Sequence, residues 1–234
     1  MRPLLLLFVA SFLFAPAAEL RAQPLPQGEY VIITGGVSLM MWEKYKQQPH
    51  DNWWLNFVRA SRIRIQELRS QHGPNLPITM LVYSPAYQRR QAIQGEGDLF
   101  GIIRSIPAAY GVKLVMFGSQ SELIGYLNNR SSQKIAGLEY FGHSNKACFL
   151  FDYSNEIGSA SKVWLHEKEL TKLRRGIFAN GAYVKSWGCH TGESMSQKFR
   201  AATGVKMIGA NGKTQYLTEE LPIISTAGGG WVGQ

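Results

Sequence analysis

The chain has 234 residues, a formal charge of +9 and only two cysteines, Cys148 and Cys189. Six Trp, ten Tyr and eleven Phe exclude a disordered chain, and the length suits one large domain with its own core. The basic residues are scattered (Arg59, Arg62, Arg64, Arg69, then Arg89-Arg90, then Arg174-Arg175) rather than gathered in a stripe with interleaved aromatics, which argues against a nucleic-acid partner.

Residues 1–22 read as an export signal. Met1-Arg2 is a short positive start, Leu4 to Leu13 is an almost unbroken apolar run, and Ala15-Pro16-Ala17 and Leu20-Arg21-Ala22 are small-residue cleavage sites. The run is shorter than the about 20 apolar residues that a bilayer-spanning helix needs, and no later stretch is long enough. The expectation is an exported protein, secreted or periplasmic, with no stable membrane insertion once the signal is removed. Residues 23–234 then form a single domain.

Strand and helix signals alternate along it. Glu29 to Thr34 (EYVIIT) is β-rich and ends at Gly35-Gly36. Apolar residues at helical spacing between Asp51 and Gln71 predict a helix, with Asp51 or His50 at its N-cap and Gly73-Pro74 closing it. Pro77 to Tyr83 is a second strand, stopped by Ser84-Pro85, and the polar residues 86–97 read as a loop. Asp98 opens a helix that ends near Gly111, and Val112 to Phe117 is a third strand. Ser119 and Ser121 precede a helix over 122–129. Ile135 to Phe141 is a strand, Cys148 to Tyr153 a short β segment, and Glu167 to Arg174 a helix. Ala182 to Trp187 is a strand, Ser194 to Thr203 a helix stopped by Gly204, and Val205 to Ile208 a last core strand. Gly228-Gly229-Gly230 reads as a flexible tail. Strands separated by helical segments predict a three-layer α/β/α sandwich with a mostly parallel sheet.

In such sheets function gathers at the carboxyl ends of the strands. Two strands finish on reactive side chains: the first delivers Gly142-His143-Ser144 and the second Gly188-Cys189. Parallel strands put both on one edge. A thiol needs a base or a positive neighbour to become a nucleophile, and imidazole can serve. Gly142 and Gly188 leave room for backbone to approach a ligand, and Thr191-Gly192 makes a turn whose N–H groups can polarise a carbonyl oxygen. In an oxidising compartment the two cysteines can instead pair, which would silence Cys189. Gly142-His143-Ser144-Asn145-Lys146 also approaches the nucleophile elbow of serine α/β-hydrolases, with Lys146 in place of the second glycine. No metal-ligand spacing appears among His143, His166, Cys189 and His190, and His50, His72 and His166 read as surface or capping residues.

Leu138-Glu139-Tyr140-Phe141-Gly142-His143-Ser144 and Tyr183-Val184-Lys185-Ser186-Trp187-Gly188-Cys189 resemble the two motif strands of clan CD cysteine peptidases, the caspase and legumain group. The run Cys189-His190-Thr191-Gly192-Glu193-Ser194-Met195 is similar to the legumain stretch after its cysteine, with one residue inserted. His143 through Asn155-Glu156-Ile157 is similar to the stretch after the histidine in the catalytic subunit of the GPI transamidase. The resemblance implies a caspase-like fold and no cofactor. It also implies Cys189 as nucleophile, His143 as general base and acid, the N–H groups of Ser144 and Cys189 as oxyanion hole, and a peptide or protein substrate. Ser144 replaces the family's usual glycine. The same chemistry serves hydrolysis and transpeptidation. The competing expectation is an exported binding or scaffold domain that keeps a peptidase-like fold without turnover.

Overall fold

The computed structural model describes residues 25–37, 55–94, 97–130, 132–152 and 163–233; the signal segment and the expected N-cap at His50 or Asp51 lie outside them. A seven-stranded sheet forms the middle layer, in the order β12 (Gly230–Gly233), β9 (Ile208–Asn211), β8 (Phe178–Ser186), β4 (Ile135–Phe141), β1 (Glu29–Thr34), β2 (Ile78–Tyr83) and β3 (Lys113–Phe117). β1 (Glu29–Thr34), β2 (Ile78–Tyr83) and β4 (Ile135–Phe141) are buried at every residue. That explains why they read as continuous apolar runs rather than alternating ones. β3 (Lys113–Phe117) is one edge, and β8 (Phe178–Ser186) and β9 (Ile208–Asn211) continue the sheet on the other side of β4. All these pairings are parallel; only β12 (Gly230–Gly233) joins antiparallel, on β9.

Helices cover both faces. On one lie α1 (Asn56–His72) and α3 (Leu99–Tyr110), whose Phe57, Val58, Ile65, Leu68, Ile103 and Ile106 pack on Tyr30, Ile32, Met80 and Val82. On the other lie α4 (Gln120–Asn128) and α5 (Met195–Thr203), which bury Leu123, Leu127, Met195 and Phe199 against Val31, Leu138 and Val184. The result is the expected α/β/α sandwich. The caps follow the sequence signals. Asp98 accepts the Gly101 N–H at 2.8 Å, Ser119 accepts that of Glu122 at 3.2 Å, and Gly111 and Gly204 close their helices at φ +60° and +82°. Both lie in the left-handed region that glycine enters without steric cost.

Several segments differ from the reading of the sequence. The polar stretch after Ser84-Pro85 is a helix, α2 (Ser84–Gln94), with proline in its first turn where a missing N–H costs nothing. Of its polar residues Gln88 is exposed and Arg89 and Gln91 are partly buried, while Ala86, Tyr87 and Arg90 are buried. The segment after His166 winds as a 3-10 helix, Glu167–Lys172, because a capping box tightens it: the His166 ring accepts from Lys168 N–H and Glu169 reaches back to His166 N–H. The last parallel strand begins at Ile208 rather than Val205, and the glycine-rich end forms β12 instead of a tail. Trp231 and Val232 sit in register with Ala210 and Gly209.

Two small sheets lie outside the main one. β5 (His143–Ser144), β6 (Cys148–Leu150) and β7 (Trp164–His166) form an antiparallel trio directly after β4. β10 (Thr214–Gln215) and β11 (Ile223–Ile224) form a hairpin after β9. One follows β4 and the other β9, the two parallel strands that flank β8, so both stand at the edge where His143 and Cys189 emerge.

Candidate active site

β4 and β8 are direct neighbours, with Leu138 opposite Val184 and Tyr140 opposite Ser186; Trp187 N–H then donates to Tyr140 O at 2.9 Å. Continuing that register brings Gly142 level with Gly188 and His143 level with Cys189. The two turns touch: Ser144 Oγ donates to Cys189 O at 2.7 Å. A Cβ on Gly188 would strike the Ser144 side chain, and one on Gly142 would strike the Tyr140 phenol. Both glycines are therefore required for these turns to close on each other. Gly192 is required for a different reason: a Cβ there would meet Val232 and the Gly209 carbonyl, so it seats the turn against β9 and β12.

The imidazole of His143 is half-buried and packs edge-on against Phe57 of α1, with 5.0 Å between ring centroids. Phe57 in turn packs on Tyr216 at 4.8 Å, and the Tyr216 hydroxyl accepts the Gly142 N–H at 2.9 Å. Tyr140 donates to His143 O at 2.6 Å; burial above all pushes its phenol well above the usual range, so it stays a donor. The sulfur of Cys189 faces Thr214. Its Sγ lies 3.3 Å from Thr214 N, 3.5 Å from Oγ1 and 3.8 Å from the carbonyl. Among the described residues these are all of its hydrogen-bond contacts, and none joins it to His143. Catalytic hydrogen bonds are often long in a free enzyme and tighten when substrate arrives.

The expected oxyanion donors divide. Asn145 N–H donates to Cys148 O at 3.1 Å, so Asn145 and Cys148 form a bonded pair of the β5–β6 ladder. Bonded and unbonded pairs alternate, which makes Ser144–Phe149 the unbonded pair and turns the Ser144 N–H away from β6. The Cys189 N–H meets no acceptor among the described residues. In the Thr191-Gly192 turn, the Gly192 N–H is already committed to Ala210 O at 2.9 Å.

The two cysteines are free thiols. Cys148 is buried on β6, and burial, with Glu167 and Glu169 nearby, pushes its thiol up. Ser144 is followed by a hairpin rather than a helix, which removes the strand-turn-helix geometry of a serine nucleophile elbow. His166 caps a turn, as expected, and His72 lies in the last turn of α1.

Beneath the edge, Glu139 is fully buried on β4 and accepts from three donors: Arg64 Nε at 2.6 Å, the Tyr30 phenol and the Trp187 indole. Burial first, and then Glu139, hold the Tyr30 phenol well above its ordinary range. For Arg64, burial opposes the charge, but Glu139 and Tyr30 outweigh it and raise the guanidinium further. Trp187 is two residues before Cys189, so the Glu139 cluster fixes the base of the cysteine turn. Lys185, on the same face of β8, has its ammonium 3.4 Å from the Trp187 ring centre and 4.0 Å from that of Trp231. Burial brings its amine down to about 8.

Sequence reasoning missed Thr214, Tyr216 and the Glu139 cluster. The alternation of Thr214, Tyr216 and their polar neighbours is a strand signal that follows the last expected strand closely. The contacts of Glu139 depend on four separate elements and leave no local pattern.

Compared with protein-family models, curated proteins and solved structures, the chain matches none.

Proposed function

We propose that the chain is an exported cysteine peptidase or transpeptidase of the caspase and legumain type, acting on peptide bonds through Cys189 and His143. The observation that supports it best is the adjacency of the two turns, which leave neighbouring parallel strands in one register and are bonded by Ser144 Oγ to Cys189 O.

In the proposed reaction His143 takes the thiol proton as Sγ attacks the carbonyl carbon. The N–H groups of Ser144 and Cys189 receive the developing oxyanion. The C–N bond then breaks, the amine leaves with the proton held by His143, and a thioester on Cys189 remains. Water or a second amine attacks the thioester, yielding a carboxylic acid or a new peptide bond, and the sulfur recovers its proton. Every step uses this chain's own residues. No helix of the described residues is long and apolar enough to cross a membrane, which agrees with action after release from the export signal proposed at residues 1–22.

The second reading, a binding or scaffold domain with a peptidase-like fold, draws on the sulfur's being engaged by Thr214 rather than His143. One comparison decides between them. Wild type, Cys189→Ala and His143→Ala are incubated with a mixed peptide library, and products are read by mass spectrometry. Catalysis predicts products only with wild type. Equal profiles from all three, or none from any, favour the scaffold.

A further inference from the structure

We infer that Thr214 is a catalytic residue in its own right, holding the nucleophilic sulfur through its main-chain N–H; this rests on the reading of Cys189 as nucleophile. The N–H lies 3.3 Å from Sγ, the hydrogen-bonding range for sulfur. A donor aimed at sulfur attracts it more strongly as negative charge builds there. The residue is tethered there, because its hydroxyl donates to Trp187 O at 2.9 Å, two residues before Cys189.

The turn that carries this N–H is clasped to the turn that carries the sulfur. His190 N–H donates to Gly212 O at 2.7 Å, and Gly212 N–H donates back to Glu193 Oε1 at 3.2 Å. The same oxygen lies 2.6 Å from His190 Nδ1. His190 itself has φ +62°, the one non-glycine residue with positive φ among those described. That conformation is sterically strained for a residue with a Cβ. Such strain persists only where surrounding contacts over-determine it. Here those contacts are the clasp, and what the clasp holds in place is the Thr214 N–H against Sγ. Glu193 is thus a positioning residue. The His190 hydrogen bond, ahead of the Gly212 N–H and the more distant Lys146, keeps its carboxyl below the usual range and so ionised as an acceptor.

The geometry predicts that Thr214 sets the reactivity of the sulfur even toward a reagent that makes no use of a peptide site. Alkylation of Cys189 by iodoacetamide at neutral pH is followed by peptide mass spectrometry, with buried Cys148 as the internal reference. Thr214→Val keeps the shape and the N–H but loses the tether to Trp187; the alkylation rate falls several-fold, and Thr214→Ser restores it. Thr214→Pro removes the N–H and lowers the rate by about tenfold, the scale of one hydrogen bond to a charged group. Glu193→Gln gives a smaller fall. Thr214→Val alkylated at the wild-type rate, with an unchanged circular dichroism spectrum, overturns the inference even if Thr214→Pro does not fold. Peptide turnover is measured in parallel. A slow-alkylating Thr214→Val in a protein without turnover keeps the sulfur's seat and rejects the peptidase reading. Turnover by wild type and Thr214→Val alike, at equal alkylation rates, does the reverse.

Discussion

Replacing Glu139 by alanine tests the buried cluster that anchors the cysteine turn. The carboxylate has no solvent exposure and satisfies Arg64, Tyr30 and Trp187 together. Removing it leaves the Tyr30 phenol and the Trp187 indole N–H without their carboxylate acceptor in a low-dielectric layer, and leaves the mostly buried Arg64 guanidinium with the half-exposed Glu67 as its remaining carboxylate, Nη1 to Oε2 at 2.8 Å. Breaking one partner out of a buried ion pair costs about 3–5 kcal/mol, because the remaining charge keeps its desolvation penalty. For a domain of this size each kcal/mol moves the midpoint by about 2–4 °C, so Tm falls by roughly 6–20 °C. Thermal and urea unfolding followed by circular dichroism give both numbers, with an unchanged urea slope showing that the unfolded state is comparable. The double variant Glu139→Leu/Arg64→Met recovers much of the loss, since an apolar pair of similar volume carries no orphaned charge. A loss below about 1 kcal/mol in Glu139→Ala would refute the reasoning, because it would mean water or another group already serves those donors.

Other consequences are independent of that cluster. Lys185 binds fewer protons folded than unfolded at pH values between about 8 and its ordinary 10.5, so its contribution to stability is least below the folded value and is gained as pH rises through it. Urea midpoints of wild type therefore rise between about pH 7 and 9.5, and those of Lys185→Met stay flatter; a parallel pair of curves contradicts this. Gly188→Ala drives a Cβ into the Ser144 side chain and toward the Gly142 carbonyl 3.0 Å away, where backbone cannot yield cheaply. It destabilises by about 1–3 kcal/mol and abolishes turnover at temperatures where the variant is still folded, as read by melting and peptide cleavage. Cys148→Ala, at a buried β6 position opposite His166, retains turnover in the same cleavage assay.

The parallel core was legible because its strands are buried on both faces and end at glycine, proline or a helix cap. β4 was placed to the residue, since Phe141-Gly142 is both the end of the apolar run and the end of the ladder. The pairing of its end with that of β8 also followed from strand logic alone. α2 was not legible, because its sequence is polar and, among its described side chains, Ala86, Tyr87 and Arg90 are the buried ones. β12 was hidden by the glycine run at its start, although Trp231 and Val232 pair in register with β9. Thr214 could not be found from spacing: it reaches Cys189 across 25 positions of chain, through a turn whose shape depends on the His190–Glu193 clasp.

The most direct measurement is the labelling of the intact protein by a peptidyl acyloxymethyl ketone, an electrophile that needs an oriented thiol and a donor-lined carbonyl pocket. One equivalent adds, it maps to Cys189 and not Cys148, and His143→Ala slows it by about a hundredfold, the scale of one general-base contribution. Label spread over both cysteines, or a rate indifferent to His143, would show that the imidazole and the thiol are neighbours without acting as a pair.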